Sequence, residues 1–223
     1  MIMAGNDRFL SKFTLMNKSL KLCLAVSLLV AATTSIHAQI RISQVVGFNF
    51  ANMDLSTGGS EIEAKGTTGI NFGMLFPLQF SDNFALHPGV LFTSLGSSYK
   101  TDTIDISISP IYIEIPFNAV LNIGSGVIGI VFSAGTYFSV GVGGNKIISG
   151  GEAKDILYGS GDTKDLKHFD FGLNFGAGLN IKGFLISAQY GYGLANLSPE
   201  TSDVTEMKNR VVGISLTSSF SGR

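Results

Sequence analysis

The residues with chemistry to offer are the few acids and bases set inside apolar stretches. Glu114 stands in the middle of Ile111–Leu121, His168 and Asp170 open the stretch HFDFGLNFGAGLNI, His87 precedes Pro88-Gly89, and Arg210 precedes VVGISL. An unpaired carboxylate in the middle of a strand is costly to bury. Glu114 is therefore expected to be half of an ion pair, with Arg41, Arg210, Lys182 or His168 as partner, or else a proton or ligand site. Glu114, Asp170 and Arg210 are read together as structural charges of an enclosed interior. His168, Asp170 and His87 lie on distant segments with no further cluster, which is too thin a set for a metal. No Gly-x-Ser-x-Gly elbow, Walker loop or His-Glu-x-x-His occurs. Gly141-Val-Gly-Gly is followed by no helix, so it is a strand end and not a nucleotide loop. No nucleophile–base set is visible, and neither catalytic residues nor a cofactor nor a metal is expected.

The elements that must hold these groups are strands. In 168–181, Phe169, Phe171, Leu173, Phe175, Ala177, Leu179 and Ile181 alternate with His168, Asp170, Gly172, Asn174, Gly176, Gly178 and Asn180. Successive side chains of a strand point to opposite faces, so one face is greasy and the other wet and narrow. The pattern recurs in 40–52, 67–80, 84–99, 106–123, 127–142, 184–195 and 209–220, which makes eight strands. Residues 81–83, 124–126 and 182–183 are tight turns, whereas 54–66, 100–105, 143–167 and 196–207 are polar and mostly long. Alternating short and long connections around an even strand number are the habit of outer-membrane barrels.

Composition says where the greasy faces point. Charged residues are 14% of the 223 residues, against roughly a quarter in an ordinary soluble domain. Mean hydropathy is +0.34. Net charge is −1, without the basic footprint of a nucleic-acid binder. A soluble eight-stranded barrel would put its greasy residues inside and its charges outside. Here the apolar face carries Phe, Ile, Leu and Val almost without charge, and the opposite face is Gly, Ser and Asn. The fold class expected is all-β: an eight-stranded antiparallel up-and-down transmembrane β-barrel in the outer membrane, its interior filled by side chains. Tyr190, Tyr192 and the phenylalanines are candidates for interfacial aromatic belts.

Residues 1–38 read as an N-terminal extension and signal peptide, and 39–223 as the barrel domain. Lys18 and Lys21, the apolar run Leu22–Ala32 and Ala38 before Gln39 form a secretory leader with cleavage between Ala38 and Gln39. Met16 is a plausible start. The single cysteine, Cys23, falls in the leader, so the mature chain forms no disulfide.

The stretch Tyr112-Ile-Glu-Ile-Pro-Phe resembles the fourth strand of the PorT-like outer-membrane β-barrel family of Bacteroidota. FDFGLNFGAGLNI, GFLISAQYGYGLANLSP and the closing NRVVGISLTSSF are similar to it as well, over nearly all of 40–220. His87-Pro88-Gly89 departs from the polar-Pro-Glu pattern of that family. The resemblance implies an eight-stranded outer-membrane barrel and brings no catalytic residues. Three functions stay open: a structural or adhesive barrel acting through its outward loops, an accessory component of a protein secretion or envelope machine, and a small membrane enzyme, which the absent nucleophile–base set disfavours. Expected partners are outer-membrane lipid, the barrel-assembly machinery during biogenesis (Phe220 resembling its signal), and an envelope or extracellular protein met by the loops. The charges of 143–167 are a solvated surface or a recognition surface.

Overall fold

Alternating segments with one oily face can bury it only against each other or against lipid, and their backbone groups need partners on both edges. In the computed structural model both needs are met by closure. The structure describes residues 41–57, 60–62, 64–100, 105–125, 127–161, 163–199 and 206–221. The expected leader and its cleavage pair Ala38–Gln39 lie outside the described residues.

Eight long strands run β1 (Arg41–Thr57), β2 (Ala64–Leu75), β3 (Phe84–Ser94), β4 (Asp105–Ser125), β5 (Ile128–Ile148), β6 (Phe169–Ile181), β7 (Phe184–Gly193) and β8 (Glu206–Ser221). Each pairs antiparallel with its neighbours in the chain. β8 returns to β1 from Arg41↔Ser221 to Ser56↔Glu206, which closes the ring. Four short strands add to it: Ser60–Ile62, Leu78–Gln79, Ser97–Lys100 and Lys154–Asp155. No helix occurs among the described residues.

The ring is sheared. A circuit starts at Arg210 and passes Tyr192, Leu173, Thr136, Phe117 and Pro88. The Phe76 N–H donates to the Pro88 carbonyl, and the register carries on one step past Ser43↔Leu75 to Ile42, which faces Phe220. The circuit thus enters β8 at residue 210 and leaves it at residue 220, a stagger of ten residues that tilts the strands and gives a narrow cylinder.

The two faces divide as expected through the middle of the barrel. Val46, Phe48, Phe50, Ile70, Phe72, Phe92, Phe138, Phe175 and Ile214 all point outward and are exposed. Ser43, Asn49, Asn71, Thr93, Ser139, Asp170, Ser187 and Ser215 are buried inside. Toward the long-loop end the two faces exchange character. On β1 the outward series Phe48, Phe50 passes into Asn52 and Asp54, while the inward series Asn49, Ala51 passes into Met53 and Leu55. On β8 Val212 gives way to Arg210 and Lys208 outside, and Asn209 to Met207 inside. An outer face that turns polar marks where lipid ends, and an inner face that turns apolar makes a core of the water-soluble kind beyond it.

The strands therefore run past the expected loops. The 21 residues of β4 and of β5 pair out to Ile106↔Ile148. Residues 54–57 and 143–148, expected in loops, are strand. Their alternation escapes notice because outside lipid the outward face need not be apolar. A register shift between Ile111 and Tyr112 leaves Val142 as an extra residue on β5. The expected 182–183 hairpin is confirmed: Lys182 and Gly183 have φ of 52° and 89°, and the Gly183 N–H donates to Asn180 Oδ1 at 3.1 Å.

Candidate functional site: a lumen closed at one end

The interior is stacked in layers. At the long-loop end Met53, Leu55, Ile108, Ile156, Leu166, Ala195, Leu197 and Met207 form one buried apolar cluster. Ile156 and Leu166 come from the long connection after β5, which folds inward over the barrel mouth instead of standing in solvent. Asp165 holds that fold: its carboxylate accepts from the Leu157 N–H at 2.9 Å and pairs with Lys146 at 2.5 Å. Beneath lies a second cluster of Ala51, Leu95 and Tyr112. Tyr158 joins the two, its ring edge-on to Tyr112 at 6.3 Å and its hydroxyl donating to the Gly143 carbonyl at 2.8 Å. Burial pushes the Tyr158 hydroxyl above its ordinary pKa. A plug of side chains thus closes this end.

Below the plug is an acidic layer. Glu114 and Asp170 both lie beside Ser139, one on β4 and one on β6, so Leu91, Glu114, Ser139 and Asp170 form one rung of the wall. Asp170 Oδ2 accepts from the Tyr137 hydroxyl at 3.1 Å and from Asn209 Nδ2 at 2.8 Å. Glu114 has Asn174 beside it in the lining of the same cavity and Asp170 as its charged neighbour. Gly172 makes room for this arrangement, since a β-carbon there would lie 2.6 Å from the Tyr137 ring. A cavity of about 40 Å³ remains, lined by both carboxylates with Asn49, Asn71, Thr93 and Tyr137. Further down, a separate space of about 30 Å³ lies beside His87 and Gln189, and a third of about 310 Å³ lies at the short-turn end, where Asp82, Asn83 and Asn122 sit. The Asn83 amide donates to the Asn122 carbonyl at 2.7 Å, which ties the 81–83 turn to the end of β4.

The expected interior charges divide. Glu114 and Asp170 are inside and adjacent in the wall. Arg210 is not with them: it shares the outward series with Val212 and Ile214, lies 3.8 Å over the Tyr192 ring and pairs with Asp54 at 2.8 Å. A charge can face outward here because at this level the outer face has already left the lipid. The expected ion pair of Glu114 is likewise not formed with Arg210, Lys182 or His168, and the side chain of Arg41, the fourth candidate, lies outside those described. Lys182 sits in the opposite turn, and His168 is exposed and stacked on Tyr158 at 5.5 Å. No group of three or more His, Cys, Asp or Glu that could hold a metal occurs among the described residues. The residues that sequence reasoning missed are Tyr137, Asn209, Tyr112 and the plug-forming Ile156, Tyr158 and Leu166. Tyr137 carried a signal: a large aromatic among the small inward residues Ser133, Gly135 and Ser139.

Comparison with known proteins accords with this architecture. Residues 33–198 match the family described as outer membrane protein beta-barrel domain. No curated protein matches the sequence. Among solved structures, Ail, the attachment invasion locus protein of Yersinia pestis, is similar at 15% identity over 82% of this chain and all of its own, with a TM-score of 0.43. OprG from Pseudomonas aeruginosa is similar at 11% identity over 82% of this chain and 97% of its own, with a TM-score of 0.44. Neisserial surface protein A shows 12% identity over 83% and 98%, with a TM-score of 0.42. With the family matching about three quarters of the sequence, the ring closed and the oily face turned outward, this chain belongs to the outer membrane protein beta-barrel domain family and resides in the cell outer membrane.

Proposed function

We propose that the protein is a non-enzymatic surface barrel that holds a rigid rim outside the cell for binding a partner. The long-loop end is the extracellular one in this reading, since short turns face the periplasm in such barrels. The observation that carries the proposal is the plugged rim. About 9–11 residues suffice to cross the membrane, yet β4 and β5 have 21 each. The excess length is ordered around its own apolar cluster, and ordering a loop costs entropy that a mere connector has no reason to spend. Binding residues belong on loops held by a rigid scaffold. Replacing 149–167 by a short Gly/Ser turn tests the reading. The variant should still assemble and show heat-modifiable gel migration, while cells bearing it lose binding to the surface, glycan or protein that wild-type cells retain. Equal binding would reject the role of the rim.

A second reading, an accessory component of a secretion or envelope machine, is favoured by the PorT-like stretch Tyr112–Phe117. Mild crosslinking followed by pull-down separates the two, because a stable envelope complex independent of 149–167 supports machinery. We further infer that the chain is exported by its leader, cut between Ala38 and Gln39 and folded by the barrel-assembly machinery. N-terminal sequencing of the membrane form tests the cleavage.

A further inference from the structure

Two carboxylates inside a narrow barrel need a reason. Packing alone would be served better by apolar groups, because a charge taken out of water is costly without a partner. Glu114 and Asp170 face one cavity, and none of its lining residues is basic. Arg210 belongs to the outward series, paired with Asp54 and stacked on Tyr192, and reaches Asp170 only as a charge at a distance.

The rest of the lining adds an independent sign. Asp170 Oδ1, Asn71 Oδ1, Thr93 Oγ1 and Asn49 Nδ2 are buried without a hydrogen-bond partner. All four residues are more than nine-tenths buried and line this same cavity. Buried polar atoms in folded proteins are nearly always satisfied, so this cluster calls for a polar occupant. Three of the four atoms are oxygens, and the Glu114 carboxylate adds two more. Oxygen-rich, anionic and without thiolate or imidazole, the set suits a hard cation. Space of about 40 Å³ exceeds the ~10–15 Å³ that a water molecule requires.

We infer that the acidic layer of the lumen is a binding site for a hard divalent cation of the Ca²⁺ type, held by Glu114 and Asp170 with neutral oxygens around it. The approach left to the ion is the short-turn side, where a further space lies beside Gln189 and His87, because the plug of Leu166, Tyr158 and Tyr112 closes the other end. The site is independent of what the rim binds.

The full chain folded in detergent gives a direct test. It has no tryptophan, so tyrosine is its ultraviolet donor, and Tyr137 lies against Asp170. Tb³⁺ should show saturable tyrosine-sensitised emission that Ca²⁺ displaces. Glu114→Gln and Asp170→Asn, both nearly isosteric, should each weaken Tb³⁺ binding by about tenfold or more while heat-modifiable migration persists. Emission that survives both substitutions, or no saturable emission at all, overturns the assignment. Should the variants not fold, the wild-type protein decides alone. Ca²⁺ should raise its heat-modification temperature above that in Na⁺ at equal ionic strength, and an unchanged temperature overturns the assignment.

Discussion

The Tyr158 ring occupies the place where a side chain at Gly141 would begin. A β-carbon on Gly141 would lie 2.1 Å from Tyr158 Cε1 and 2.5 Å from Cζ. Tyr158 belongs to the connection after β5 and Gly141 to β5 itself, so a missing side chain in the wall lets the loop lock down as a plug. Gly141→Ala should push the ring out and loosen 149–167, at a cost of roughly 1–3 kcal/mol. Limited trypsin digestion reads this out, with faster cutting after Lys154, Lys164 and Lys167 while the barrel still shows its heat-modifiable shift. Cutting at the wild-type rate would mean that the ring has somewhere else to go.

The turn between β6 and β7 is suboptimal in its first residue. Lys182 holds a left-handed φ of 52°, which an L-residue other than Asn, Asp or Gly adopts at some cost. Lys182→Asn creates the Asn-Gly pair preferred in this turn and should raise stability by about 0.5–1 kcal/mol. Gly183→Ala, at a φ of 89°, should lower it by a similar or larger amount. Guanidinium unfolding of the refolded barrel in vesicles measures both, and opposite signs are required.

Which face meets lipid can be tested by placing charge. Phe72 points outward in the middle of β2 and stacks on Phe92 at 5.3 Å. Phe72→Lys should cost roughly 2–4 kcal/mol, as for a lysine near the bilayer midplane. Leu157 is just as exposed but lies in the rim, where water replaces lipid. Leu157→Lys should change stability by less than about 0.5 kcal/mol. Equal costs at the two sites would mean that the membrane band has been drawn at the wrong height.

Arg210 and Tyr192 should couple as neighbours at the outer edge of the lipid band. The guanidinium lies over the ring and also pairs with Asp54. A double-mutant cycle of Arg210→Met and Tyr192→Leu should return about 0.5–1 kcal/mol of interaction. Tb³⁺ emission from the lumen should persist in Arg210→Met, since the residue does not line the cavity.

The order of side chains along the chain was enough to establish an all-β barrel of eight strands with its oily face outward. Period-two alternation is a local property, as are the tight turns at 81–83 and 182–183, and lipid leaves no other use for such faces. The inward position of Glu114 and Asp170 followed from the same parity. Their companionship did not. Glu114 and Asp170 are 56 positions apart and meet through Ser139 only because of the register of three strands. Register and closure are non-local, so composition could not tell that Arg210 would find Tyr192 and Asp54 rather than Glu114. The plug was hidden for a related reason. Ile156, Tyr158 and Leu166 sit among the many charges of 143–167 and look like scattered residues of a solvated loop until the barrel mouth provides a place to bury them. Sequence determined which face each strand residue takes; the closed ring decided which residues face one another across the lumen, and whether a strand end stands in lipid or in water.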